Sequence, residues 1–354
     1  MKVGLDGVIV AETLLSHSDP QLSRLWIRGV PIEKAARDLG YEGIVRLLWG
    51  EFGGGETTRE SVIEEFAAGR QRAFDRIESW LPSITGSTPG EATRRCLAAV
   101  PDDSAPAEIL GALAVGVPAI IRHQRGLLPV QPDPALSTAA DFLKMVAGKA
   151  AAPDLVHALD TYFAVAAENG LGPSTFAARV AASTGATLSA SVLAAYCVFE
   201  GPLHGGAPGP ALEMIDQAEG SGNSEMWLDH KLATGGRLPG FGNRAFPNGD
   251  PRAAILADAV RKVANGYARL QFAADFERLA LAALARHRPG KTLRPNLEIY
   301  AAILLDACGI PPNAFTPTFA TARCIGWLAH AMEQKANGRM LRPTSRYVGP
   351  IVPD

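Results

Sequence analysis

Cysteine is scarce in this chain, like charges form no block, and no apolar run is long enough to cross a bilayer. Each shortage removes a class of function. The four cysteines, Cys96, Cys197, Cys308 and Cys324, are scattered through 354 residues without the close spacing of a metal or redox pair. All four read as buried structural thiols, which suits a reducing cytoplasm. Lys and Arg number 34 against 36 Asp and Glu, for a net charge of -2. That balance leaves no electrostatic footprint for nucleic acid, and no Lys/Arg run marks a membrane surface. The longest apolar run, near Ile109 to Ile121, is too short to span a membrane. Asp6 and Glu12 interrupt the apolar N-terminal stretch, so neither a signal peptide nor a transit peptide fits. Internal repeats and low-complexity segments are missing, which sets solenoids aside. Small molecules and a second copy of the chain remain as the expected partners.

What is present predicts a large core. At 47% hydrophobic and 20% charged residues the chain is globular, and its length predicts two lobes. Beyond the first thirty residues, apolar positions recur at helical spacing and alternating runs are nearly absent, so the fold class is all-α. The exception is Leu14 to Arg28, where Ser16-His17-Ser18-Asp19-Pro20 supplies turn chemistry between two short runs, predicting a small hairpin. Short amphipathic helices are expected over Ile32 to Leu39 and Tyr41 to Trp49. Gly53, Gly54 and Gly55 mark a break in the polar stretch that follows. Pro153 to Glu168 reads as a helix with Leu155, Leu159, Tyr162, Phe163 and Ala166 on one apolar face. A single buried helix is expected from Ala181 to Phe199, stopped by Gly201-Pro202.

Directly after that stop comes Leu203-His204-Gly205-Gly206-Ala207. A histidine among glycines sits against bare backbone, open to a substrate carbonyl, although a plain surface histidine gives the same heptapeptide. Gly240-Phe241-Gly242-Asn243-Arg244-Ala245 matches the dinucleotide fingerprint in form only, because no strand precedes it and the βαβ pattern is missing. The nucleophile elbow, the P-loop and the zinc-protease helix motif find no convincing match. His330 and Glu333 share a helix face, and a solvated or interhelical pair explains them better than a metal site. Glu298, before an apolar helix, reads alone as a solvated N-terminal residue favoured by the helix dipole. Arg323 lies within the apolar helix Phe319 to Met332, where burying it is costly unless an anion meets it. Arg252 and Arg342, taken singly, read as surface salt-bridge partners, but guanidinium forks also bind carboxylates bidentately.

Taken together, these segments resemble the citrate synthase family, which includes the 2-methylcitrate synthases. The resemblance runs over nearly the whole chain: Gly4 to Thr13 with Leu25 to Gly29, Leu171 to Arg179, Gly201 to Ala207, Gly240 to Arg252, Asn296 to Tyr300, Phe319 to His330, and Arg342 to Gly349, in the family's order. It implies an all-helical homodimer, with a large domain over 1–206 and 310–354 and a small inserted domain over 207–309. The active site is then expected between the domains, completed by an arginine borrowed from the other subunit. By position, His204 corresponds to the histidine that stabilises the enol of acetyl-CoA. Arg252, Arg323 and Arg342 fall on the oxaloacetate-binding arginines, with Arg342 in the place of the borrowed one.

Three positions depart from the family. Asn243 replaces the histidine that polarises the oxaloacetate carbonyl, Glu298 replaces the proton-abstracting aspartate, and Asn169 replaces a further oxaloacetate histidine. Gly172-Pro173 also stands in place of Asn-Ala before Ser174. Glu298 can still take a proton, but its extra methylene displaces the oxygen by ~1 Å, worth about 10²-fold in rate if uncompensated. Asn243 keeps a hydrogen-bond donor and loses the deliverable proton, a loss of roughly 10² to 10⁴. The expectation is an acyl-CoA-dependent carbon-carbon bond-forming acyltransferase with altered acceptor specificity. His204 would stabilise the enol and Glu298 act as base, while Arg252, Arg323 and Arg342 bind an anionic 2-oxo acid that Asn169 and Asn243 orient. No metal or redox cofactor is implied, only the acyl-CoA as substrate. The alternatives are a silent homologue that binds a CoA ester or dicarboxylate or regulates an active synthase, and an ordinary citrate synthase that tolerates the substitutions.

Overall fold

The computed structural model describes residues 5, 7–50, 52, 58–205, 208–243, 245–263 and 267–350. Gly4, Asp6, Gly53, Gly54, Gly55, Gly206, Ala207 and Arg244 therefore lie outside the described residues. The predicted hairpin is present as β1 (Ser16–Asp19) and β2 (Arg24–Ile27), antiparallel with Ser16 opposite Ile27, and a third short strand, β3 (Val30–Pro31), extends it. Asp19 Oδ1 accepts the backbone N–H groups of Gln21 and Leu22 and so closes the turn. The remaining elements are helical, as expected.

They are α1 (Ile32–Trp49), α2 (Arg59–Asp75), α3 (Ile77–Trp80), α4 (Pro89–Ala98), α5 (Pro106–Gln124), α6 (Thr138–Ala147), α7 (Pro153–Ala166), α8 (Pro173–Ser183) and α9 (Leu188–Phe199). After the histidine turn come α10 (Pro208–Gly220), α11 (Ser224–Ala233), α12 (Pro251–Val263), α13 (Ala268–His287), α14 (Leu297–Ala307) and α15 (Phe315–Asn337). The two short helices expected before residue 50 join as α1 across a kink at Gly40, whose φ of 65° a residue with a side chain rarely adopts. The single helix expected from Ala181 to Phe199 is in fact two. Gly185, at φ 87°, ends α8, and Thr187 starts α9 by accepting the Ala190 N–H on its hydroxyl at 3.2 Å. Stop and start chemistry thus overrides the continuous small-residue pattern.

α15 and α5 form the centre. α5 is buried at every position from Ala107 to Ile121, and α15 packs on α5, α7, α8 and α9. Close approach there depends on Gly326: a Cβ would lie 2.6 Å from Glu168 Oε2 and would also strike the Ala167 carbonyl. α12 lies against α7 and α14, and α14 touches α7 and α10. These contacts bring residues near 250 and 298 opposite the C-terminal half of α7 and the middle of α15. Of the four cysteines, Cys96, Cys308 and Cys324 are buried as expected, whereas Cys197 is exposed on α9. Among the described residues no helix is long and apolar enough to cross a membrane.

Candidate active site

Helix ends build the site. His204 follows α9 in a turn closed by its own N–H to the Gly201 carbonyl at 2.9 Å, with the ring edge-on to Phe199 at 5.1 Å. Gly205 lets the turn fold back, since a Cβ there would lie 2.8 Å from the Phe199 ring. The imidazole meets the first turn of α8: Nε2 accepts the Ser174 backbone N–H at 3.3 Å and lies 2.8 Å from the Ser174 hydroxyl. That N–H is a donor only and is one of the unsatisfied groups at a helix start. Nε2 is therefore the acceptor, and the neutral ring carries its proton on Nδ1. Trp327 Nε1 donates to the same Ser174 Oγ at 3.1 Å, leaving the serine O–H free to donate to the ring. Burial, and then the charge of Arg323, push the imidazole pKa down to about 4, so His204 is uncharged at neutral pH.

His204 opens onto a cavity of about 170 Å³ whose wall includes Asn169, Asn243, Arg252, Glu298 and Arg323. Six of the seven residues expected from sequence thus share one cavity. The seventh, Arg342, is exposed in the extended segment beyond α15 and does not line it.

Arg252 is not the surface residue its sequence context suggests when read alone. It is buried, and Asp250 holds it with both oxygens, Nε to Oδ1 at 2.9 Å and Nη2 to Oδ2 at 2.8 Å. Burial alone would raise the Asp250 carboxyl, but the charge and hydrogen bonds of Arg252, with a bond from Asn243, hold it below the usual carboxylate range. Asn243 is fixed at both ends of its amide: Nδ2 donates to Asp250 Oδ2 at 2.9 Å and Oδ1 accepts the Ala245 N–H at 2.9 Å. One amide hydrogen remains for a ligand. Its loop pairs with Pro295 through Phe241, in a bridge unrelated to any dinucleotide fold.

Glu298 sits in the first turn of α14, half-buried rather than solvated, with Asn296 Oδ1 accepting its backbone N–H at 2.9 Å. Burial pushes its carboxyl above the usual range against the opposing pull of Arg252 and Asn296. Arg323 is buried with Nε donating to the Ala166 carbonyl at 2.6 Å, and burial lowers its pKa to about 10 even though Glu168 nearby favours the charge. Glu168 acts on Arg323 through its charge, without a direct hydrogen bond between them. Glu168 Oε1 accepts from Ser16 at 2.8 Å, from the Gly170 N–H at 2.6 Å and from His330 Nε2 at 3.1 Å, which fixes the backbone on either side of Asn169. His330 and Glu333 are both buried and both meet Arg179, so of the two expected roles theirs is the interhelical pair. Among the described residues no group of three or more His, Cys, Asp or Glu side chains could hold a metal ion.

Ser174, Trp327, Asp250 and Tyr162 also build the site, and sequence reasoning gave them no role. Asp250 alone had a local signal, two residues before Arg252. A second groove of about 610 Å³ shares Asn243, Asn296 and Glu298 with the cavity and carries Arg237, Arg288 and Lys291 along its length. Arg237 is distant in sequence from the neighbouring Arg288 and Lys291, so no single basic run announces all three.

The family model described as "Citrate synthase, C-terminal domain" matches residues 4–344. The chain belongs to the citrate synthase family. It is 33% identical to a citrate synthase of Haloferax volcanii, covering 99% of this chain and 96% of that one. It is 30% identical to a 2-methylcitrate synthase of Mycobacterium tuberculosis, covering 99% and 91%. Among solved structures, it matches a ternary complex of carboxymethyl coenzyme A and oxaloacetate with the citrate synthase of Thermoplasma acidophilum, with a TM-score of 0.84 at 25% identity, covering 99% and 97%. The family's reaction condenses an acyl-CoA with oxaloacetate, and it needs no cofactor beyond the thioester it consumes.

Proposed function

We propose that the chain condenses acetyl-CoA, or another short acyl-CoA, with an anionic 2-oxo acid and hydrolyses the resulting thioester, with an acceptor preference altered by Asn169, Asn243 and Glu298. The observation that carries this reading is the neutral His204, whose Nε2 is occupied by Ser174 while Glu298, a carboxyl with a raised pKa, lines the same cavity. His204 Nδ1–H donates to the thioester oxygen while Glu298 removes a proton from the adjacent carbon, so charge never accumulates fully on the enol. The enol carbon attacks the 2-oxo carbonyl. Arg252 and Arg323 hold the acid, and the free Asn243 amide hydrogen, with Asn169, orients its carbonyl. Water then cleaves the thioester, releasing CoA thiol and the hydroxy acid.

The groove bearing Arg237, Arg288 and Lys291 suits the phosphates of CoA, because it reaches the cavity at Glu298 and places three cations along an extended anion. The domain division follows the same reading, with 207–309 as a small domain inserted into a large one formed by 1–206 and 310–354. The enzyme acts as a homodimer in which Arg342 enters the cavity of the other subunit, a role supported by its exposure and by its place outside the lining of its own cavity. The test is CoA thiol release from acetyl-CoA and propionyl-CoA with oxaloacetate and then with a panel of other 2-oxo acids. Release with any of them supports the reading. Tight CoA-ester binding with no release and no exchange of the acyl methyl protons would instead establish a silent binding protein.

A further inference from the structure

Among the described residues that line the cavity, Tyr162 alone carries a hydroxyl. It lies on α7, fully buried, in the same cavity as Arg252, Arg323 and Glu298. Its ring is fixed between Phe163 and Phe319, each with its centroid 6.1 Å away. The hydroxyl has no hydrogen-bond partner among the described residues. A buried hydroxyl left unpaired costs stability, and a phenylalanine would pack the same ring without that cost. Its charged neighbours are two donors, Arg252 and Arg323, and one carboxyl, Glu298. Arg252 has committed Nε and Nη2 to Asp250, Arg323 has committed Nε to Ala166, and both keep further N–H groups.

We infer that the Tyr162 hydroxyl binds the acceptor acid, donating to an oxygen of a second carboxylate held by Arg252 and Arg323, and thereby selects dicarboxylic over monocarboxylic 2-oxo acids. This rests on the function proposed above and deepens it. Burial keeps the phenol protonated despite the two nearby arginines, so it is a neutral donor at every working pH. A cavity of about 170 Å³ admits a small acid only. An acid that ends in a methyl group there leaves the phenol and the uncommitted guanidinium N–H groups without an acceptor, and a site built to hydrogen-bond an oxygen rejects the analogue that lacks it.

The experiment compares wild type with Tyr162→Phe in the full chain. Oxaloacetate, the five-carbon dicarboxylic 2-oxo acid and pyruvate are titrated by calorimetry, and the melting temperature is followed alongside. The expected result is dicarboxylate binding weakened about 10- to 100-fold, the usual worth of a hydrogen bond to a charged group. Pyruvate binding should be unchanged, and the ligand-free melting temperature equal or higher. Unchanged dicarboxylate affinity overturns the inference, as does a lowered melting temperature without an affinity loss, which would mark a purely structural hydroxyl. Wild type that binds neither dicarboxylate also overturns it. Wild type that binds but releases no CoA thiol overturns the catalytic reading alone and leaves the role of Tyr162 decided by the titration.

Discussion

Asp250 grips Arg252 with both carboxylate oxygens, at 2.9 and 2.8 Å, and holds Asn243 with one of the same oxygens at 2.9 Å. One buried carboxylate therefore aims two groups that face the proposed acceptor acid. Replacing one partner of such a pair leaves an uncompensated buried charge, at a cost of about 3 to 5 kcal/mol. Asp250→Asn should lose about that much stability by denaturant unfolding and raise the KM for the acceptor acid, with the KM for acyl-CoA nearly unchanged. A variant as stable as wild type would show that Arg252 finds another anion.

His204→Ala should abolish CoA thiol release while changing the melting temperature little, because the ring is only partly buried and ends a surface turn. Ser174→Ala is the finer test. It keeps the backbone N–H that sets the tautomer and removes the hydroxyl linking the ring to Trp327. Loss of that anchor should lower kcat about 10- to 100-fold through misplacement of the ring, with both KM values close to wild type. Steady-state kinetics on the purified variant checks this.

Sequence carried the helical class and the hairpin through periodicity and turn chemistry, whereas the six cavity residues were legible together only through the family resemblance, each having a bland reading when taken alone. What it missed depends on distance in the chain. Tyr162 counted as one of five apolar-face residues of α7, and only packing shows that it shares a cavity with Arg252 and Arg323. Ser174 and Trp327 are more than 150 residues apart and meet at one hydrogen bond. Arg252 read as exposed since its two-residue link to Asp250 says nothing of burial. Cys197 read as buried since α9 is rich in small apolar residues on all sides, and period alone does not mark which of them faces water.

Arg342 supplies a prediction about assembly. If it completes the other subunit's site, His204→Ala and Arg342→Ala are each inactive alone, yet mixing them by denaturation and refolding restores one intact site in each mixed dimer. Random pairing gives half mixed dimers with one of two sites intact, so about a quarter of wild-type activity should return. Recovery indistinguishable from background would place Arg342 outside the site or within its own subunit's cavity.

Glu298 ties activity and stability to pH in opposite senses. Its carboxyl is raised above the ordinary glutamate range by burial, against Arg252 and Asn296. As the base it must be ionised, so kcat/KM should rise with pH through that raised value and then level. Protonation of His204, at about 4, falls too low to set this limb. A folded-state pKa above the unfolded one means stability present in full below the ordinary glutamate value and lost as pH rises through the raised one. Glu298→Gln should therefore abolish methyl-proton exchange and melt higher than wild type at pH 8, with the difference vanishing in acid. Glu298→Asp keeps a base but withdraws it by ~1 Å, and in a cavity shaped for the longer side chain this should cost about 10²-fold in kcat. Should aspartate instead raise kcat, Glu298 is no adaptation of this cavity, and the altered acceptor specificity must come from Asn169 and Asn243 alone.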